Sequence, residues 1–335
     1  MESLSLKQQL RLPLFGSPMF LVSSKELVAE QCKAGIVGAF PSLNARPEED
    51  LVKWLAFIDD EIAAWNVLHP DRPAAPYAVN LIVHPSNPRL QHDLEVIARH
   101  AVPIIITSLN EPGKVVEKVH AYGGMVFHDV STVRHAKKAL AAGVDGLVLV
   151  CAGAGGHTGT LNPLAFIAEV RAFFDGPIVL SGCVTNGRQI LAAEAMGADY
   201  AYMGTRFIAS AEANAPGEYK QMILASSAAD IVRSSAVTGL PANYLAKSFE
   251  AVGVDPATLP ERSTSSFSFG SRDDGSQVKA WRDIWSAGQG VGSIHDIGPV
   301  RVLVDRLFLE YQQAVGDMQQ RIAQRELTAP VRSTQ

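Results

Sequence analysis

Short apolar runs rich in valine, isoleucine and leucine alternate with amphipathic segments along the first 210 residues of the chain. Near-continuous apolar runs of this kind are typical of parallel strands buried on both faces, and the apolar spacing between them predicts helices. The eight predicted strands are Pro18–Val22, Ile36–Phe40, Tyr77–Val83, Pro103–Leu109, Gly124–Val130, Gly146–Ala152, Pro177–Val184 and Tyr200–Ile208. The predicted helices include Ser24–Lys33, Glu48–Asn66, Arg89–His100, Ser131–Ala142, Pro163–Phe174 and Asn186–Met196.

Eight strand–helix units in this length predict an α/β fold, a (β/α)8 TIM barrel. Turns of small residues that contain glycine, the expected helix C-cap, precede each of the last four strands. A doubly wound open sheet is the alternative architecture. It is less favoured because no GxGxxG phrase follows the first strand and because the strand count is eight.

The pattern changes from about residue 211, where a predicted helix, Gly217–Asp230, leads into a segment rich in serine, threonine, proline and glycine. We interpret residues 211–289 as a smaller, mostly helical inserted domain that caps the barrel and contributes to the substrate site. A long helix, about Gly298–Ala323, then returns to the barrel wall. Residues 1–210 and 290–325 would therefore form the barrel domain.

Composition narrows the class of protein. The 335 residues carry a net charge of −5, so no basic surface invites nucleic acid. The three cysteines, Cys32, Cys151 and Cys183, have neither disulfide-framework nor zinc-site spacing. No signal peptide and no apolar run long enough to span a bilayer is visible, so we expect a cytoplasmic protein without membrane partners.

A glycine-rich loop with a lone histidine follows the sixth predicted strand. It reads Cys151-Ala-Gly-Ala-Gly-Gly-His157-Thr-Gly159, and its glycines would let a ligand approach the backbone closely. The imidazole of His157 can be an acid/base group at a site, or it can face solvent in a flexible turn. Active sites of (β/α)8 barrels lie at the carboxyl ends of the strands, which favours the site.

The ends of the seventh and eighth strands predict a phosphate site. Gly182 and Gly204 remove side chains there, so backbone N–H groups can point at an anion, and Thr205 adds a hydroxyl. Asn186 is expected to cap the following helix, whose N-terminus favours negative charge. Tight packing of the strand ends without a ligand is the alternative interpretation.

The chain lacks the motifs of several other chemistries. No cluster of histidine, cysteine and carboxylates has metal-ligand spacing, and neither GxSxG nor GxxxxGK[ST] occurs. A phosphate-bearing organic cofactor, used together with one acid/base histidine, fits these residues better than hydrolysis or metal catalysis.

Five phrases of the sequence resemble the nitronate monooxygenase family, formerly called 2-nitropropane dioxygenases. They are Ala154-Gly-Gly-His-Thr-Gly159, Ser181-Gly-Cys-Val184, Met203-Gly-Thr-Arg-Phe207, Thr238-Gly-Leu-Pro-Ala-Asn-Tyr-Leu245 and Ile284-Trp-Ser-Ala-Gly-Gln-Gly290. The resemblance runs from Pro18 to about Leu309. It implies a (β/α)8 barrel with a smaller inserted domain and non-covalently bound FMN.

The resemblance also implies roles for individual residues. His157 matches the catalytic histidine beside the flavin. Asp129 stands near the ribityl chain, where some relatives carry lysine, and Cys183 departs from the more usual glycine pair. The residues implied in cofactor binding are Met19, Asn80, Asp129, Gly155, Gly156, Ser181, Gly182, Cys183, Gly204, Thr205, Gly288 and Gln289.

The implied reaction is oxidation of alkyl nitronates, or of nitroalkanes, with O2 to a carbonyl compound and nitrite. An ordinary imidazole pKa near ~6.5 would let His157 act as base or as donor. An NAD(P)H-dependent FMN reductase of quinones or enoyl-thioesters stays open. So do an FMN-free sugar-phosphate enzyme and a non-catalytic binding protein. We expect a monomer or a homodimer.

Two further predictions concern the surroundings of the site. His128 ends the fifth strand, so its side chain either points into the barrel mouth or is hydrogen-bonded to the backbone at the strand end. Tyr244, Phe267 and Trp285 could shape a substrate pocket, although aromatic residues in such a segment are more often core.

Overall fold

The structure, a computed structural model, describes residues 5–259 and 282–328. Eight parallel strands form its main sheet, and two antiparallel strands together with a two-residue strand form a second one. The strands are β1 Leu14–Gly16, β2 Gly38–Pro41, β3 Tyr77–Val83, β4 Ile104–Leu109, β5 Met125–Val130, β6 Gly146–Val150, β7 Gly156–His157, β8 Ile178–Ser181, β9 Tyr200–Met203, β10 Ile231–Ser234 and β11 Ala242–Leu245.

Helices follow most strands of the main sheet, as a (β/α)8 barrel requires. They are α1 Lys25–Lys33, α2 Asp50–Leu68, α3 Leu90–Arg99, α4 Gly113–His120, α5 Val133–Ala141, α6 Pro163–Arg171, α7 Gly187–Ala195, α8 Thr205–Ile208, α9 Gly217–Leu224, α10 Ala246–Ala251 and α11 Val300–Thr328. Within the described ranges, none of these helices is both long and apolar enough to cross a bilayer.

The main sheet curls until its first and second strands meet. Its order is β1-β9-β8-β6-β5-β4-β3-β2, with every neighbouring pair parallel. Gly16 N–H donates to Val37 O at 2.7 Å, and Val37 N–H donates to Leu14 O at 3.1 Å, which joins β1 to the residue before β2. The predicted TIM-barrel fold is therefore confirmed.

Aromatic side chains fill the barrel interior below the carboxyl ends of the strands. Phe15 contacts Phe127 and Tyr200 with ring centroids 5.5 and 5.1 Å apart, and all three rings are almost completely buried. These inward-facing side chains fill the barrel interior, so a ligand can enter only at the carboxyl ends of the strands. The cavity of the molecule accordingly lies at the carboxyl end.

The first strand was predicted four residues too late. Pro18–Val22 is a largely half-buried loop in which Leu21 adopts a φ of 63°, and β1 lies before it. The side chain of Asn44 holds this loop, accepting from Leu21 N–H at 2.9 Å and donating to Met19 O at 3.0 Å. Apolar residues in the loop therefore pack without forming a strand, which the hydrophobic pattern does not distinguish.

The eighth predicted strand is also shorter than expected. It ends at Met203, and after Gly204 the chain turns directly into α8 rather than continuing as a strand to Ile208. Ser17 N–H donates to Met203 O at 2.9 Å, so the strand pairs with the chain just beyond β1 up to this point. All four residues of α8 are buried.

The segment after α8 contains helices and also a hairpin. β10 pairs antiparallel with β11, and β11 pairs with β7 of the glycine-rich loop, so this segment shares a sheet with the loop that carries His157. Residues 260–281, which include Phe267, lie outside the described residues.

The long C-terminal helix packs closely against α7, and one glycine permits the contact. An added Cβ at Gly187 would overlap Leu307 O and Tyr311 N, which are backbone atoms of α11. By contrast, nothing lies within 4 Å of the Cβ position of Gly316 on the same helix.

We expect Gly187→Ala to lower the free energy of unfolding by about 1–3 kcal/mol, because helix backbones must separate to admit the methyl group. Gly316→Ala is the matched control. It should raise the free energy of unfolding by roughly 0.5–1 kcal/mol, since alanine favours a helix interior. Urea denaturation of both variants measures the difference, and equal effects would contradict the packing described.

Candidate active site

A cavity of about 1490 Å3 opens at the carboxyl ends of the strands. It gathers residues that are far apart in the sequence, from the loop after β1 to the segment after residue 282. The predicted site residues that line it are Met19, Asn80, Asp129, Gly155, Gly156, His157, Ser181, Gly182, Cys183, Gly204, Thr205 and Gly288. Gln289 does not line the cavity, and its part in cofactor binding stays a prediction.

The hairpin of the inserted segment holds the glycine-rich loop in place. In β7, His157 pairs with Ala242 of β11. Thr158 N–H donates to Pro241 O at 3.0 Å, and the side chain of Asn243 donates to Ala154 O at 2.7 Å. The loop is therefore a fixed edge strand rather than a flexible turn, which places the imidazole at the wall of the cavity.

The imidazole of His157 lies 3.1 Å from a hydroxyl, between Nε2 and Thr238 Oγ1. The Thr238 hydroxyl also accepts from Leu240 N–H at 3.4 Å, so the imidazole is tied to the turn at residues 238–240. Desolvation lowers the pKa of His157 to about 4. The expectation of an ordinary imidazole pKa is therefore wrong, and His157 is neutral at pH 7.

The turn after β8 presents backbone N–H groups to the cavity. Gly182 has a φ of 141° and Cys183 a φ of 61°, so both residues lie in the region that favours glycine. No backbone acceptor among the described residues takes the N–H of Gly182 or of Cys183. Successive N–H groups in such a turn form a concave anion site.

The helix after this turn does not contribute to that site in the expected way. Asn186 caps α7, as predicted, by accepting from Gln189 N–H at 3.0 Å. The carboxylate of Glu310 accepts from Gly187 N–H at 2.8 Å, however, and neither Asn186 nor Gly187 lines the cavity. The α7 N-terminus faces α11, so the expectation that it attracts the anion is corrected.

The turn at residues 287–290 is held between the loop after β9 and the histidine loop. Gly288 N–H donates to Thr205 Oγ1 at 2.9 Å, and Gln289 N–H donates to Gly153 O at 2.9 Å. A Cβ on Gly155 would lie 2.8 Å from Gly288 N, so glycine is required for this approach. The C-terminal segment thus closes one side of the cavity.

A chain of polar side chains crosses three neighbouring strands at the cavity wall. Asn80 Nδ2 donates to Ser108 Oγ at 2.8 Å, and the Ser108 hydroxyl donates to Asp129 Oδ2 at 2.6 Å. Asp129 Oδ1 is buried and has no partner among the described residues. Burial raises the pKa of Asp129 to about 6, opposed in part by the hydrogen bond from Ser108.

Sequence reasoning missed two residues of this site. Ser108 follows the same rule that identified Asn80 and Asp129, since it is a polar residue at the end of an apolar strand. Thr238 begins one of the phrases that resemble the family, but nothing in the sequence paired it with His157, which is 81 positions away.

The side chain of His128 points away from the cavity. Its Nδ1 lies 2.8 Å from the hydroxyl of Thr107, which itself donates to Phe127 O. Because successive residues of a strand face opposite sides, Asp129 faces the cavity and His128 faces the helix layer. Desolvation lowers the pKa of His128 to about 4. The side chain is therefore outside the barrel mouth, and its hydrogen bond is to a side-chain hydroxyl of the neighbouring strand rather than to the predicted backbone partner.

Of the aromatic residues considered for a substrate pocket, Tyr244 belongs to the core and Trp285 is half-buried and packs against it. Tyr244 is fully buried, with its ring 5.6 Å from that of Phe249. Trp285 stacks on Tyr219 at 5.0 Å, and neither Tyr244 nor Trp285 lines the cavity.

The arrangement combines a turn whose N–H groups have no backbone acceptor among the described residues, a half-buried carboxyl group and a neutral imidazole in one cavity. A neutral imidazole can accept a proton, and the turn can hold a phosphate, so the site suits a phosphate-bearing cofactor beside an acid/base group. Within residues 5–259 and 282–328, no three histidine, cysteine or carboxylate side chains are grouped to hold a metal ion.

Known proteins resemble this chain in sequence and in fold. A putative monooxygenase of Mycobacterium tuberculosis is 33% identical over 192 residues, which are 56% of this chain and 51% of that protein. A nitronate monooxygenase of Neurospora crassa is 30% identical over 251 residues, covering 63% of this chain and 64% of that protein. The chain spans about half to two thirds of the length of these relatives.

The fold has a counterpart among solved structures. Nitroalkane oxidase from Streptomyces ansochromogenes superposes with a TM-score of 0.73 over 93% of this chain and 99% of that one, at 24% identity. At that identity the likeness shows the barrel fold alone.

The decisive comparison covers almost the whole length of the chain. Residues 2–310 match the nitronate monooxygenase family, and this range includes the histidine loop, the turns after β8 and β9 and the segment of residues 211–289. The chain therefore belongs to the nitronate monooxygenase family of flavin-dependent oxidoreductases.

Proposed function

We propose that this protein oxidises alkyl nitronates, and nitroalkanes as a further class of donor, with O2 to a carbonyl compound and nitrite. The observation that carries the proposal is the neutral imidazole of His157 at the wall of the cavity that also contains the anion-binding turn. FMN is the proposed cofactor. When bound, it supplies the redox chemistry by accepting electrons from the donor and passing them to O2.

The residues present fit a flavin mononucleotide. The unpaired N–H groups of Gly182 and Cys183 suit its phosphate, with Ser181, Gly204 and Thr205 beside them. The buried, unpartnered Oδ1 of Asp129 suits a hydroxyl donor such as those of a ribityl chain.

His157 is the proposed acid/base group. Its neutral imidazole would take the α-proton from a neutral nitroalkane, while the hydrogen bond between Nε2 and Thr238 holds the ring in place. An anionic nitronate has already lost that proton and needs His157 only for orientation. The remaining work of the protein is to position the donor and to exclude water.

The domain division is part of the proposal. A separate hydrophobic cluster that includes Ala242, Tyr244, Phe249 and Ile284 supports an inserted unit over residues 211–289, beside a barrel of residues 1–210 and 290–325.

Anaerobic mixing of the purified protein with an alkyl nitronate tests the reaction. We expect a yellow protein whose released cofactor is FMN, and whose flavin absorbance bleaches within the mixing experiment. Bleaching by NADH or NADPH with no response to the nitronate would overturn the proposal in favour of a reductase. A colourless protein that binds no FMN on reconstitution would overturn the cofactor as well.

A further inference from the structure

The cavity is larger than one cofactor requires. Pockets for drug-sized ligands typically measure about 300–1,000 Å3. The proposed FMN would lie along the residues at the strand ends, which we call the polar strip: Asn80, Ser108, Asp129, Ser181 and Gly204. At about 1490 Å3, the cavity leaves room beside this strip. The remaining space lies under the inserted segment.

That part of the cavity, which we call the insert chamber, has an apolar wall. Its residues come from the loop after β10, from α10 and from the segments that follow, and they are Val237, Leu240, Phe249, Val254 and Ile284. Phe249 and Ile284 also belong to the core of the inserted segment, with Val237 and Val254 packed against it. The wall is therefore a face of a packed cluster rather than a chance grouping of exposed side chains.

Among the described residues, few charged side chains line the insert chamber. Arg282 is the charged residue on this side that lines the described part of the cavity, and it forms two hydrogen bonds to Asp283, at 2.8 and 2.7 Å. A charged group in the insert chamber would lose its hydration without gaining a dedicated partner from these residues. An uncharged apolar group would instead gain by leaving water.

His157 stands where the insert chamber meets the polar strip. β7 pairs with β11, and the imidazole bonds to Thr238, which lies next to the chamber residue Val237. A donor whose reacting carbon lies at His157 would therefore extend its other end into the insert chamber.

Building on the proposed function, we infer that the substrate carries an uncharged apolar tail of roughly six or more carbons, which the insert chamber binds. Each methylene transferred from water into such a site favours binding by about fourfold. The preference should therefore rise with tail length until the insert chamber is filled, and a terminal carboxylate should abolish the gain.

The test compares primary alkyl nitronates from ethyl to octyl, together with chains of matched length that end in a carboxylate. We expect kcat/KM to rise about fourfold per methylene over several carbons, and the carboxylate-ended chains to lose at least tenfold against their methyl-ended counterparts. A kcat/KM that is flat or falls with length would overturn the inference.

Two variants test whether the dependence of kcat/KM on chain length arises in the insert chamber. Val237→Asn and Val254→Asn should each flatten the dependence of kcat/KM on chain length. Val302→Asn, at an exposed valine of α11, is the matched control and should leave the dependence unchanged. If all three variants kept the parent's slope, the tail would lie elsewhere.

A binding measurement can test the insert chamber independently of the proposed reaction. Calorimetric titration with neutral 1-nitroalkanes should show affinity rising with chain length in the parent protein but not in Val237→Asn, whether or not any nitronate turns over. Length-dependent binding without turnover would uphold the insert chamber and refute nitronate oxidation. Turnover with length-independent binding would refute the insert chamber and uphold the reaction.

Discussion

Replacing His157 by glutamine is expected to lower kcat/KM for neutral nitroalkanes by about 10²–10⁴-fold, the usual contribution of a positioned general base. Glutamine can still donate a hydrogen bond but cannot accept a proton at neutral pH. For the corresponding anionic nitronates, which need no deprotonation, we expect a loss of less than about tenfold. Steady-state kinetics with both members of each nitroalkane–nitronate pair measures this difference.

The pH dependence of kcat/KM for nitroalkanes should reflect the pKa of His157. Because desolvation lowers the pKa of His157 to about 4, the neutral and basic form persists through the mildly acidic range. Nitroalkane kcat/KM in the parent protein should therefore fall only as the pH drops towards 4, rather than around ~6.5 as for an ordinary imidazole. His157→Gln should lose this acidic limb.

His295→Gln is the matched control, since this histidine is exposed and does not line the cavity. Its kinetics should equal those of the parent protein. Nitroalkane turnover within twofold of the parent in a His157→Gln protein that retains its full flavin content would rule out the assigned role.

Asp129→Asn is expected to stabilise the flavin-free protein at neutral pH. Burial raises the pKa of Asp129 to about 6, above its unfolded value near ~3.9, so the ionised carboxylate opposes folding. This contribution to stability is most favourable below the unfolded pKa and is lost as the pH rises through the folded pKa. The increase in the free energy of unfolding caused by Asp129→Asn should therefore be about 2–3 kcal/mol larger at pH 7.5 than at pH 4.

Urea denaturation of parent and variant at both pH values measures the gain. The amide oxygen of asparagine can still accept the hydrogen bond from Ser108, so the packing of the site is kept. Asp175→Asn, at an exposed position, should change the free energy of unfolding by no more than about 0.5 kcal/mol at either pH. A pH-independent effect of Asp129→Asn would show that its carboxyl is not destabilised by burial.

The sequence was sufficient to predict which strand ends meet at the site. Apolar runs with a period suited to buried parallel strands predicted β3 with both of its ends correct, at Tyr77 and Val83. Parallel strands of one barrel end on the same rim, so polar or small residues at those ends converge without any further information. That argument brought Asn80, Asp129 and Gly204 to one cavity.

The same reasoning predicted a strand wrongly where a loop is apolar because it packs against the barrel. Pro18–Val22 is apolar because its loop is packed against the barrel, and Asn44 rather than a strand partner satisfies its backbone. Ser108, by contrast, was within reach of sequence reasoning, since its position at the end of β4 matches that of Asp129 at the end of β5.

By itself, the sequence determined the barrel, the rim on which the site lies and most of the residues that line it, because these follow from local periodicity and from the shared direction of the strands. Only the tertiary structure decided the properties of those residues. The lowered pKa of His157 and the raised pKa of Asp129 arise from desolvation by their surroundings. Glu310 bonds to the start of α7 from 123 positions away, and Thr238 bonds to His157 from 81 positions away. Contacts over such distances, and the loss of water that accompanies them, depend on how distant segments pack, which no local pattern records.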